Sequence, residues 1–240
     1  MWALLAFLAA VVWLPQIRRT NPADAPAETS QEAKGLWRSV LAWQVTLFMG
    51  LQSLAYYVVL TWLPEILQEA GGMSASLAGW MLALAQAVGV ASMFLAPVLA
   101  GRRPSQRGLV VACVILAGVG TLGLLIAAGT ATALWVVLLG LGLGACFSLA
   151  LTFFALRAPD PEHAAALSGM AQSVGYLLAA AGPFLFGVLR DATHAWSAPL
   201  ALLLAIMVCL LVAGLGAARN AHVGAPNAPS ATPKTPGSDG

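Results

Sequence analysis

Six blocks of about twenty apolar residues recur along this chain, and none carries Asp, Glu, Lys, Arg or His in its middle. A segment of that length and composition is suited to crossing the ~30 Å hydrocarbon core of a bilayer as a helix. Inside lipid the backbone must satisfy its own hydrogen bonds, which leaves two spanning structures, the helix and the closed barrel. A barrel strand alternates apolar and polar residues over ~10 positions. "LVVACVILAGVGTLGLLIAA" does not alternate. Charged residues make up 8% of the chain and mean hydropathy is +0.86, so little charge is left to cover a water-facing surface. The expected fold is an all-α polytopic membrane bundle: six full transmembrane helices plus the end of a preceding one.

The full spans are expected at Ser39–Leu67, Ser76–Ala100, Gly108–Ala128, Ala133–Leu156, Ala164–Val188 and Ala198–Ala217. Before them, "WALLAFLAAVVWL" covers only ~20 Å as a helix. Its positive charges, Arg18 and Arg19, follow the apolar run, the reverse of a signal peptide. Residues 1–17 are therefore expected to be the end of a clipped helix and 18–38 a long cytoplasmic loop. Residues 39–217 form the six-helix bundle, and 218–240, rich in Pro, Ala, Ser and Gly, a disordered cytoplasmic tail. Ten of the eleven Lys and Arg residues fall in loops on one side of this frame, with Arg190 alone opposite. The positive-inside rule then places Met1 outside and the C-terminus in the cytoplasm.

Intramembrane enzymes need catalytic ligands or acid–base groups at depth, and the spans offer none: no HExxH, no aspartate pair, no Ser/His set. His163, His194 and His222 lie in loops or tail. Cys113, Cys146 and Cys209 sit in apolar runs without ligand spacing and read as small core residues. No enzyme activity, cofactor, metal or nucleic-acid partner is expected.

What the spans do contain is amide and hydroxyl. "MGLQSLAYYVVLTWLPEIL" sets Gln52, Ser53, Tyr56, Tyr57 and Thr61 among apolar neighbours, where an unbonded polar group is costly. Gln86 lies on the second span, Ser148 and Thr152 on the fourth, and Ser168, Gln172, Ser173 and Tyr176 on the fifth. The third and sixth carry little beyond Thr121, so they are expected to face lipid all round. Gln52/Tyr56 and Gln172/Tyr176 are each four apart and share a helix face. One such residue is readily interhelical glue. Concentrated on four spans of six, they point to a polar-lined cavity. Gln52, Tyr56, Gln86, Gln172 and Tyr176 are the candidate substrate-binding residues, with chemistry suited to a small planar solute or weakly hydrated anion. Gly182-Pro183 is the candidate helix kink.

Six spans after a long cytoplasmic loop resemble the C-terminal half of a major facilitator superfamily transporter. "APVLAGRRPSQRGLV" is similar to that family's basic loop between spans eight and nine. It keeps Gly101, Arg103 and Gly108 as the gating-loop candidates and lacks the acidic residue of the fuller motif. "FMGLQSLAYYVVLTWLPEIL" and "RAPDPEHAAALSGMAQSVGYLLAAAGPFLFGVLRDAT" resemble the cyanate permease and 2-nitroimidazole transporter branch. The resemblance covers about Trp2 to Ala217. It implies a bacterial inner-membrane secondary transporter working by alternating access on a small solute, such as a cyanate-like anion or small heterocycle. It also implies an N-terminal six-helix half, in the same gene or a separate chain, or self-association. In that architecture spans seven, eight, ten and eleven line the cavity while nine and twelve stay outside. The rival expectations are a non-transporting membrane scaffold or sensor and an inactive truncated fragment.

Overall fold

The computed structural model describes residues 35–103 and 105–223. The chain divides into two units, Met1–Gly35 and Leu36–Gly240. The expected clipped helix, most of the long cytoplasmic loop and residues 224–240 lie outside the described residues. Within the second unit are six helices long and apolar enough to cross a membrane: α1 (Val40–Glu69), α2 (Ala75–Gly101), α3 (Arg107–Ala127), α4 (Thr132–Arg157), α5 (Pro161–Thr193) and α6 (Ser197–Ala217).

Each expected span has its helix, and the differences lie at the ends, where side chains rather than hydropathy set the boundary. Ser39 Oγ accepts the Ala42 N–H at 3.3 Å and starts α1; Ser74 Oγ does the same for Leu77 N–H and α2. Asp160 caps α5 through the His163 N–H at 2.9 Å, and Pro161 follows in the first turn. Its missing N–H costs nothing there. These bonds, with a second contact from the His163 ring, hold the Asp160 carboxyl below its ordinary range. α5 thus begins three residues before the apolar run. It continues through Pro183 to Thr193, 33 residues in all, or about 50 Å at 1.5 Å per residue.

α1 and α4 form the centre and are the most enclosed helices. α5 packs along α1 and α2 along α4 on one flank; α6 and α3 cover α1 and α4 on the other and touch each other. Close approach rests on missing side chains. A Cβ at Gly50 of α1 would lie 2.9 Å from Gly175 Cα of α5. A Cβ at Gly144 of α4 would overlap the Gly89 carbonyl of α2. Van der Waals contact between backbones is what drives association when lipid removes the hydrophobic advantage.

The expectation that the third and sixth spans face lipid all round is wrong. α3 buries Val110, Cys113, Val114, Ala117, Thr121 and Leu124, a stripe that returns every three or four residues. α6 buries Leu200, Leu203, Met207, Leu210 and Ala217. A uniformly apolar helix gives composition no way to mark its packed side, whereas small residues do so here: Gly142 of α4 admits Ala117 and Cys113 of α3. Thr121 satisfies itself, its hydroxyl donating to the Ala117 carbonyl at 2.9 Å. Cys209 also departs from expectation: it is exposed, while Cys113 and Cys146 are buried. The least enclosed helices are instead α2 and α5, two that bear polar residues.

The Arg157 end holds a second departure. Read only as a loop charge, Arg157 is 4% exposed. Its Nε donates to the Ala217 carbonyl at 2.8 Å, its Nη2 donates to Gln106 Oε1 at 2.8 Å, and its guanidinium lies over the Phe153 ring. Val223 N–H donates to the Arg157 carbonyl at 2.7 Å, so residues just beyond α6, placed by the sequence in the tail, fold under this end.

Candidate functional site

Polar side chains from α1 and α5 converge on a recess of about 180 Å³ walled by α1, α2, α4 and α5. Its lining includes Gln52, Ser53, Tyr56 and Tyr57 from α1, Phe147 from α4 and Tyr176 from α5. Met93 of α2 and Leu143 and Gly144 of α4 complete the apolar wall. The lining holds no Asp, Glu, Lys, Arg or His among the described residues.

The five sequence candidates are arranged unequally. Gln52 is 1% exposed, and its Oε1 accepts the Ser53 hydroxyl at 3.0 Å. Its amide nitrogen is not engaged in that bond and can donate. Tyr56 is partly buried; its hydroxyl accepts Gln86 Nε2 at 2.7 Å across the α1–α2 boundary. Gln86 therefore stands behind Tyr56 and orients it, leaving the phenolic proton free to donate. Tyr176 is 40% exposed and borders both this recess and a groove along Tyr57, Thr61, Ala180 and Pro183. Gln172 lies one turn away, with its Nε2 donating to Ser168 Oγ at 2.7 Å; it borders an open depression with Ser173 and Tyr176. The structure brings Gln52, Tyr56, Gln86 and Tyr176 together and connects Gln172 to them only through Tyr176.

Ser53 and Tyr57, absent from the five candidates, line the recess beside Gln52 and Tyr56. They form the neighbouring four-residue row, 100° round the helix, and were legible as a second pair. Tyr57 meets Tyr56 edge to face, with ring centroids 5.5 Å apart. Ser148 is glue: its hydroxyl donates to the Met93 carbonyl at 2.7 Å and joins α4 to α2.

The gating-loop candidates sit at the Arg157 end. Gly101 closes α2, the Arg103 N–H donates to the Ala100 carbonyl at 3.3 Å, and Gly108 is in the first turn of α3. Among the loop's described residues Gln106 is the buried one, and no motif marked it. Its Nε2 lies within 3.4 Å of the Ala100 carbonyl and 3.2 Å of the Arg103 carbonyl while its Oε1 accepts from Arg157. Of the kink pair, Gly182 admits Leu54 of α1 at close range, and the Pro183 carbonyl accepts Trp62 Nε1 at 3.0 Å.

A family model described as Major Facilitator Superfamily matches residues 1–183. The chain belongs to the major facilitator superfamily. It is 44% identical over 225 residues to a Bacillus subtilis protein named "Uncharacterized transporter YycB", covering 93% of this chain and 55% of that one. It is 43% identical over 216 residues to the "2-nitroimidazole transporter" of Escherichia coli, covering 90% and 54%. With the "Cyanate transport protein CynX" of E. coli it shares 30% over 190 residues, 79% and 48%. The chain thus spans about half the length of these relatives. Six membrane-length helices and major facilitator membership make it a multi-pass membrane protein of a transporter family. It resembles the cyanate and nitroimidazole branch of that family.

Proposed function

We propose that this chain supplies the C-terminal six-helix half of a secondary transporter that moves a small planar solute by alternating access. The observation that carries the reading is the recess between α1, α2, α4 and α5, lined by amide, hydroxyl and aromatic groups and by no charge. Gln52 Nε2 and the Tyr56 hydroxyl offer donors, the Gln52 carbonyl accepts, and Tyr57, Phe147 and Tyr176 offer ring faces. Such a set suits a small heterocycle or a weakly hydrated anion and holds a multiply charged solute poorly. Two relatives are named for solutes of this kind, 2-nitroimidazole and cyanate.

The recess needs a second wall. α2 and α5, which contribute Met93 and Tyr176 to its lining, also leave Val90, Phe94, Leu95, Leu177, Phe184 and Val188 exposed along their lengths. A second six-helix half, on the same polypeptide or another, or a second copy of this chain, would cover that flank. Rocking of the two halves would expose the recess to either side in turn.

The proposed location is a bacterial inner membrane, with the Arg157 end cytoplasmic. Alkaline phosphatase fused after Gly71 or Ala192 should be active and after Ser105 inactive; the opposite pattern contradicts the orientation. The transport reading is tested by titrating the purified transporter containing this chain with 2-nitroimidazole and cyanate. Saturable binding of at least one is expected. Binding of neither under conditions where the protein is folded would remove the solute class proposed here.

A further inference from the structure

The end of the bundle away from Arg157 carries a cluster that the recess does not use. Glu69, the last residue of α1, accepts through one carboxylate oxygen from two donors: Arg190 Nη2 of α5 and Trp196 Nε1, at 2.8 Å, from the α5–α6 turn. The Arg190 guanidinium lies over the Trp196 ring, 5.4 Å from its centroid. Trp196 is buried and lies 5.6 Å from Trp62 of α1, whose N–H bonds the Pro183 carbonyl of α5. Gly187 of α5 leaves the space that the Trp62 ring fills. Four residues from two helices and a turn thus meet, with each polar contact crossing between α1 and the α5 side. Lower down, the same two helices touch backbone to backbone at Gly50 and Gly175.

We propose that Glu69, Arg190, Trp196 and Trp62 form a strut that ties α1 to α5 beyond the recess, so that these two helices open and close as one piece. The groove bordered by Tyr57, Thr61, Tyr176 and Pro183 runs between them toward the strut. With the strut intact, access at this end comes from movement of the whole half rather than from α1 splaying away from α5. The significance for access rests on the transport reading; the contact itself does not. Glu69 and Arg190 are both partly exposed, so the ionic component is moderate and screened by salt.

The test is thiol labelling of the full chain in detergent, in a Cys209→Ser background that removes the exposed native thiol. Ala179→Cys introduces a reporter at a position of α5 that is buried and borders the groove. A water-soluble maleimide should label it about two- to five-fold faster in Glu69→Gln or Arg190→Gln at low salt. The double variant should be no faster than Glu69→Gln, which already weakens both contacts of the carboxylate, so that the Arg190 change adds nothing. One molar salt should shrink the difference. Trp196→Phe, which keeps an aromatic ring of smaller size and loses the N–H, serves if Arg190→Gln does not accumulate. Unchanged labelling in the singles, or multiplicative effects in the double, would overturn the strut. Labelling requires no transported solute, so this result stands apart from the outcome of the solute titrations.

Discussion

Gly144→Val should be among the most damaging single substitutions in this chain. The position faces the Gly89 carbonyl and Ser92 Oγ of α2, and even a Cβ would overlap both. The obstacle is mostly backbone, which cannot rotate out of the way, so α2 must move off α4. Overpacking of this kind costs roughly 1–3 kcal/mol and sometimes more, and we expect about 3 kcal/mol or failure to accumulate. Because Gly144 also lines the recess, residual folded protein should lose solute binding. Gly118→Ala is the control: a Cβ there meets nothing within 4 Å, so it should be neutral or slightly stabilising. Thermal unfolding in detergent, followed by retained monodisperse protein, compares the two directly. Equal melting temperatures for both variants would refute the backbone contact.

Arg157→Ala should be the second large loss. It leaves the Gln106 side-chain oxygen and the Ala217 carbonyl without their donor at a buried point joining the α2–α3 loop, α4 and α6. An acceptor stranded this way costs about 1–3 kcal/mol, so the pair predicts roughly 2–6 kcal/mol before relaxation. Arg157→Lys should recover only part, since an ammonium lacks the planar fork that reaches both acceptors. Gln106→Ala leaves the arginine its bond to Ala217 but removes the amide's own contacts to the Ala100 and Arg103 carbonyls, so it should destabilise as well. The order alanine, then lysine, then wild type in the same unfolding assay checks this. An Arg157→Ala protein as stable as the parent would mean that the guanidinium acts only as a topological charge.

Those two sites show what hydropathy could and could not reveal. Span number and approximate limits follow from the cost of unpaired backbone in lipid, which any twenty-residue apolar block expresses. The polar face of α1 was legible because Gln52 and Tyr56 stand out against Leu and Val at helical spacing. Ser53 and Tyr57 were equally visible but belong to the adjacent row, which a single i,i+4 pairing overlooks. Arg157 was invisible as a buried group, because a basic residue at a span end already has an explanation in the positive-inside rule. Its burial depends on α6 and the α2–α3 loop arriving at the same place. The packed sides of α3 and α6 were hidden for a related reason: where every residue is apolar, only small side chains record the contact.

Gln52 either touches solute or merely holds helices together, and substrate titration of variant transporters decides which. Gln52→Ala in the purified transporter should weaken affinity for the bound solute by about 0.5–1.5 kcal/mol, or roughly two- to ten-fold, with the melting temperature of the solute-free protein little changed. Gln172→Ala should weaken it less, since that side chain is already bonded to Ser168 and reaches the recess only by way of Tyr176. Unaltered affinity in Gln52→Ala, together with a lowered melting temperature whether or not solute is present, would show that the residue is structural and that the recess is not the solute site.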